Sequence, residues 1–221
     1  MQDGLNQYFI RLLKCKRRNN LKSKLLWKWW ILQMMWVKDI CVRNWDGDGD
    51  GELSLDEASK ITDLNNVFCG TKITRFDELK YFTGLKSIDD NAFKNCTDLT
   101  HVIFPIGLKT IGNNAFQNCS QLKLDLLNGV ESIGDSAFQN CGEIEVLILP
   151  KSLESIGGFT FANCSKLTTI LSDIDKPSPF GECAFDGIGY CTLYVPRGSV
   201  TAYIDAGWWN SNVFKGGLRE L

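Results

Sequence analysis

At 221 residues the chain is long enough for one or two domains, and 44% hydrophobic with 11% aromatic residues is the make-up of a folded globular protein, not of a disordered chain or a membrane bundle. The net charge of -2 hides an asymmetry: residues 1–44 carry ten Lys/Arg and two Asp/Glu, residues 45–221 carry 14 and 24. The larger part is acidic, which argues against nucleic acid as a partner.

Residues 1–36 open with a basic run, Lys14 to Lys24, followed by an apolar, Trp-rich stretch from Leu25 to Trp36. The stretch is too short and too interrupted by Lys28 and Gln33 to span a membrane. Three readings stay open: a helix packed on the next module, a poor or remnant export signal without a small-residue cleavage site, and a basic amphipathic helix on a membrane surface. Membrane contact is expected, if anywhere, through residues 14–36.

Next comes Asp46-Gly-Asp48-Gly-Asp50-Gly51-Glu52-Leu53-Ser54-Leu55-Asp56-Glu57, which fits the EF-hand loop. Ca²⁺ takes six to eight hard oxygens, and alternate residues of a tight loop converge on one centre. Asp46, Asp48 and Asp50 supply carboxylates, Gly51 the sharp turn, Glu52 its backbone carbonyl, Ser54 a water-mediated contact and Glu57 two oxygens. Val37, Cys41, Val42 and Trp45 lie on one face of an incoming helix, and residues 57–64 read as a short outgoing one. The loop is single, whereas EF-hands usually pair and dockerins carry two.

From residue 65 a unit recurs. Ile88, Ile111, Ile133 and Ile156 open nine-residue segments that close on Asn-Cys at Cys96, Cys119, Cys141 and Cys164, and Gly181 to Phe185 is a degenerate copy. The aligned phenylalanines are Phe93, Phe116, Phe138, Phe161 and Phe185, at steps of 23, 22, 23 and 24 residues. A fixed step in this range means a solenoid. Apolar alternation after each Cys (Leu99, Val102, Phe104; Ile144, Leu147, Leu149) followed by Pro105 or Pro150 predicts a short strand. The unit after Cys119 is one residue shorter, which predicts a kink beside its strand, with Leu122, Leu124 and Leu126 inward. A partial unit, Ile73 to Ile88, precedes the series. The chain has nine cysteines. Four of them share one repeat position, which points to small buried residues with free thiols rather than a disulfide framework. The sequons at Asn95, Asn118 and Asn163 coincide with a repeat asparagine expected to bond backbone at a turn. Ser172 to Phe180 is a Pro-containing loop. A last strand ends at Pro196, and a short helix from Ser199, a candidate N-cap, leads to Trp208 and Trp209, expected to plug the open end.

The pattern Ile-x-x-x-Ala-Phe-x-Asn-Cys-x-x-Leu-x-x-Ile-x-Leu-Pro resembles the BspA-type leucine-rich repeat of surface and secreted proteins of Bacteroidetes and of some mucosal protists. The stretch from Cys41 to Ser54, with Phe76 to Leu85, resembles the leader that often precedes those repeats, and Leu193 to Tyr203 resembles their closing cap. The expected fold class is an α/β repeat solenoid, a leucine-rich repeat with short parallel strands on one side, preceded by a small helical EF-hand-like calcium module. The expected division is residues 1–36, a basic segment; 37–64, the calcium module; 65–195, the repeats; and 196–221, the cap.

No catalytic constellation is present: His101 is the single histidine, and there is no Gly-x-Ser-x-Gly, phosphate loop or HExxH. The expected function is non-enzymatic binding of a protein ligand by a monomer, with a structural Ca²⁺. His101, Ile103, Asp125, Leu127, Val146, Ile148, Thr169, Leu171 and Tyr194 would line the outward strand face. The resemblance implies an adhesin on the cell surface or secreted, recognising a host matrix or bacterial surface protein. Alternatives are a structural spacer of a larger surface protein and a dockerin-like accessory module.

Overall fold

The computed structural model describes residues 36–124, 127–208 and 212–221. The expectations for residues 1–35 and for Asp125, Leu126 and Trp209 lie outside the described residues. Residues 36–45 are helical (α1), and an acidic loop joins them to α2 (Leu55–Lys60). The outgoing helix thus starts earlier and ends sooner than expected. Ser54 sets its start: the Ser54 hydroxyl accepts the Glu57 N–H, and the Glu57 carboxylate accepts the Ser54 N–H, a reciprocal cap.

The strands are β1 (Arg75–Phe76), β2 (Ser87–Ile88), β3 (His101–Val102), β4 (Thr110–Ile111), β5 (Ser132–Ile133), β6 (Val146–Leu149), β7 (Ser155–Ile156), β8 (Thr169–Ser172), β9 (Thr192–Val195) and β10 (Gly217–Glu220). All pairings are parallel. They build two ladders rather than one. The first runs β2-β4-β5-β7 and stacks Ile88, Ile111, Ile133 and Ile156 inward. The second comprises the pair β1-β3 and the sheet β10-β9-β8-β6. The expectation of strands on one side is therefore corrected. Strands of two residues between two turns are too short for period-two alternation to register; the recurring Ser/Thr-Ile pair was the available signal.

The second ladder breaks at the short unit. No described residue from 119 to 131 is in a strand, and Leu127 is 1% exposed, not outward as expected. The Leu127 carbonyl accepts the Val130 N–H at 3.1 Å, as the Pro105 carbonyl accepts the Leu108 N–H and the Pro150 carbonyl the Leu153 N–H. The missing residue has moved Leu127 into the turn position that proline holds in the neighbouring units.

The core is a column of aromatic rings. Phe68, Phe93, Phe116, Phe138, Phe161 and Phe185 stack at 4.9–5.4 Å between centroids, within 13° of parallel. Phe68 begins the column one coil earlier than the sequence pattern, because Phe68-Cys-Gly-Thr71 replaces Phe-x-Asn-Cys. Beside the rings, the buried thiols of Cys96, Cys119, Cys141 and Cys164 donate to the carbonyls of Phe68, Phe93, Phe116 and Phe138, each one coil back, at 2.9–3.3 Å. These cysteines are free, as expected.

Asparagine works differently from the expectation that it bonds backbone. Asn95, Asn118, Asn140 and Asn163 have φ of 61–64°, a left-handed conformation that asparagine tolerates better than most residues. Their amides bond one another, Asn118 to Asn95, Asn140 to Asn118 and Asn163 to Asn140, at 2.7–2.9 Å. Gly187 ends this ladder, since a Cβ there would stand 2.4 Å from Asn163 Oδ1.

Both ends of the column are covered. Trp45, the last residue of α1, packs against Phe68 and Phe82 at 6.1 and 5.8 Å. At the other end, Phe180, Trp208 and Phe214 surround Phe185, so Trp208 plugs the end as expected. The Trp208 indole N–H donates to the Ser178 carbonyl at 2.7 Å, which gives the Pro-containing loop its role. Helix α3 (Val200–Asp205) follows Ser199, but that side chain donates to the Pro196 carbonyl and does not cap the helix. From α3, the buried Tyr203 hydroxyl donates to the Ile174 carbonyl at 2.8 Å and lies 2.5 Å from the Ser172 hydroxyl oxygen.

Candidate cation loop and binding face

The loop after α1 curls around Asp46. Asp46 Oδ1 accepts the Gly49 N–H at 2.7 Å and Oδ2 the Gly51 N–H at 2.9 Å. Asp48 and Asp50 accept the N–H two residues on, at Asp50 and Glu52. Gly49 and Gly51 have φ of 75° and 83°, which glycine adopts without strain. One oxygen from each of Asp46, Asp48 and Asp50 lies within 4.8 Å of the others, the one such cluster of three His, Cys, Asp or Glu among the described residues.

Of the other predicted ligands, Glu57 reaches back across the loop: Oε1 accepts the Gly47 N–H at 2.7 Å, and Oε2 accepts the Ser54 N–H and hydroxyl at 2.9 and 2.8 Å. These bonds, led by the one from the Ser54 backbone, hold the Glu57 carboxyl down at about 2. The Glu52 side chain pairs with Lys38 at 2.6 Å, which leaves only its backbone carbonyl for a ligand role. The donor set consists of hard oxygens on a glycine-turned loop and fits Ca²⁺ by its chemistry. Three carboxylates this close repel one another unless a cation neutralises them.

The sequence-predicted face divides in two. His101 stands on β3 opposite Arg75 of β1. His101 Nδ1 lies 2.7 Å from Asp77 Oδ1, and Arg75 donates to Asp77 Oδ2 at 2.8 Å. Burial works to raise the Asp77 carboxyl, but the bonds from Arg75 and His101 outweigh it and set its pKa below the usual carboxylate value. His101 is thus a ladder residue held in a cluster of charges. Ile103 lies just past β3, outside the ladder.

On the four-stranded sheet the predicted residues do come together. Val146, Thr169 and Thr192 form one outward row, and Ile148, Leu171 and Tyr194 a second, each in direct register across β6, β8 and β9. All six side chains reach solvent, while the alternate residues Leu147, Ile170 and Leu193 are buried. Tyr194 carries the row on to Arg219 of β10, a strand that the sequence reading missed because Gly217-Leu-Arg-Glu220 shows no apolar alternation. No helix among the described residues is long and apolar enough to cross a membrane.

Six copies of the BspA type leucine rich repeat region match residues 64–192. Among solved structures, a leucine rich cell surface protein from Faecalibacterium prausnitzii A2-165 is 28% identical with a TM-score of 0.52, over 62% of this chain and 37% of that protein. A leucine rich repeat protein from T. pallidum is 25% identical with a TM-score of 0.46, over 50% of this chain and 52% of that protein. Another from Bacteroides ovatus ATCC 8483 is 19% identical with a TM-score of 0.37, over 63% and 44%. The chain therefore spans little more than a third of the length of the F. prausnitzii protein, and no curated protein matches it significantly. The matched repeats fill more than half of the chain, with one stacked phenylalanine in each coil, and the chain belongs to the BspA-type leucine-rich repeat family.

Proposed function

We propose that this chain is a non-enzymatic, adhesin-like binding protein of the cell surface or secreted space, which takes a protein ligand on the outward face of β6, β8 and β9. The observation that carries the reading is the row Ile148–Leu171–Tyr194, three apolar or aromatic side chains in register on adjacent strands and half-exposed on the outward face. Strand-to-strand spacing of about 4.8 Å makes such a row a flat, preformed surface, and solenoids use surfaces of this kind for macromolecular ligands. The surface placement draws support from the cell surface protein of F. prausnitzii. In this reading Ca²⁺ sits between Asp46, Asp48 and Asp50, with the Glu52 carbonyl, Ser54 and Glu57 completing or bracing the shell, and its part is structural.

The test is capture of a panel of matrix and bacterial surface proteins by the full chain, set beside Ile148→Asp and Leu171→Asp. Both positions are half-exposed on the outward face rather than in the core, so the variants should still fold, which circular dichroism checks. Capture should drop at least tenfold, and undiminished capture by both variants would defeat the assignment of the sheet face.

A further inference from the structure

Phe159 stands out among the turns of the solenoid. Its φ is 55°, the left-handed region that side chains with bulk adopt at a cost. The equivalent positions hold Asn91, Asn114, Ser136 and Cys183, all small or amide residues with φ of 53–62°. Burial does not offset the strain, because Phe159 is 44% exposed in a row of turns that otherwise presents small and polar side chains.

The turns around it are acidic. Residues 134–141, 157–164 and 181–188 hold Asp135, Glu182 and Asp186 and no Lys or Arg. All three carboxylate residues are exposed, and no ion pair among the described residues engages them. Asp135 lies one coil before the ring and Glu182 one coil after. Asp135 Oδ1 accepts the Gly158 N–H at 2.7 Å, and the Glu182 carbonyl accepts the Phe159 N–H at 2.9 Å. The Phe159 turn thus has an acidic residue in the coil before it and another in the coil after it.

We propose that this turn is a second contact surface, on which a protein partner places an arginine side chain over the Phe159 ring and between the carboxylates of Asp135 and Glu182. A guanidinium is the group that both chemistries select: it stacks on an aromatic face and pairs with carboxylates through its planar fork, which a lysine ammonium does not do. An exposed aromatic is what such a contact requires, since a packed ring would offer no face. The surface is separate from the sheet face and does not depend on it.

The test uses the full chain and labelled hexa-arginine and hexa-lysine peptides at 150 mM salt with calcium present. Hexa-arginine should bind the parent more tightly than hexa-lysine. Phe159→Asn, which installs the residue of the equivalent turns, should weaken hexa-arginine binding by about 3- to 30-fold, the range expected for one cation–π contact. The same variant should melt about 2–4 °C higher as the left-handed strain is relieved. Phe159→Tyr should retain binding, and Glu182→Gln should weaken it without unfolding the chain. Equal affinity of parent and Phe159→Asn for hexa-arginine, or no binding by the parent, overturns the proposal.

Discussion

The Cys119 thiol donates to the Phe93 carbonyl at 3.1 Å, and the same carbonyl accepts the Cys96 N–H at 3.1 Å. One oxygen thus closes its own turn and ties down the next coil. The relationship recurs at Phe116, bonded by the Cys119 N–H and the Cys141 thiol, and at Phe138, bonded by the Cys141 N–H and the Cys164 thiol. Cysteine fits because it is small, apolar enough for the core, and still a donor.

Those thiols should be out of reach in the folded protein: the bond with Cys119 sets Cys96 below the ordinary thiol value, so burial alone shields it, whereas the other three are raised. Burial pushes Cys141 well above the ordinary thiol value and Cys164 up to about 12, and the thiolate is the reactive form. Among the cysteines of the described residues, alkylation with iodoacetamide near pH 8 should mark the exposed Cys69 first and reach Cys96, Cys119, Cys141 and Cys164 only in denaturant. Peptide mapping by mass spectrometry checks the order; native labelling of the four at the rate of Cys69 would contradict the ladder.

Phe138 is buried between Phe116 and Phe161 at 5.3 and 5.4 Å. Phe138→Ala removes the ring from the middle of the column, where neither neighbour can close the gap. The loss should be about 3–5 kcal/mol, read as a shift of the urea midpoint. A cost under about 1 kcal/mol would mean that the column collapses around the gap.

At Asn118 two effects separate. The residue has φ of 64° and makes two amide bonds of 2.7 Å, to Asn95 and from Asn140. Asn118→Gly loses the bonds but keeps the conformation easy, and should cost about 1–2 kcal/mol. Asn118→Ala adds the left-handed penalty and should cost about 1 kcal/mol more. Paired denaturation curves give the difference, and equal costs would show that backbone conformation is not what asparagine supplies here.

In the loop, the Glu57 carboxyl is held at about 2 against an ordinary value near 4.5. A depressed carboxylate contributes stability that is present above the ordinary value and lost as the pH falls through about 2. Melting in chelator between pH 5 and 2 should therefore decline more steeply for the parent than for Glu57→Gln. Parallel declines would remove Glu57 from the reciprocal cap.

Calcium should act through the folded state. If the ion binds Asp46, Asp48 and Asp50 only when the loop is formed, saturation to about 100 times the dissociation constant adds about 2.7 kcal/mol. Trp45 precedes Asp46 directly and covers Phe68 at the end of the ring column, so its fluorescence should follow the titration. Identical melting in calcium and in chelator would dismiss the ion.

Much of the repeat was legible because one residue type returns to one environment at each coil. Phe93 to Phe185 revealed the period, and the four cysteines their burial and their free state. The acidic loop was legible for a different reason: its spacing is local, and Asp46 to Glu57 span a single turn of chain. Phe68 was missed, since Gly70 and Thr71 stand where later coils have Asn and Cys. The ladder of Ser87, Thr110, Ser132 and Ser155 was missed because two-residue strands carry no alternation.

The sequence by itself determined the solenoid and the repeating phenylalanine and cysteine positions of its core, which follow from spacing along the chain. Only the tertiary structure decided which outward residues share a surface. Ile148, Leu171 and Tyr194 meet because β6, β8 and β9 pair in register, while Ile103 is cut off where the ladder breaks and Leu127 turns inward. The physical reason is that a face is made by hydrogen bonding between coils. A single missing residue in one coil redirects that bonding without leaving a mark on the repeat pattern on either side.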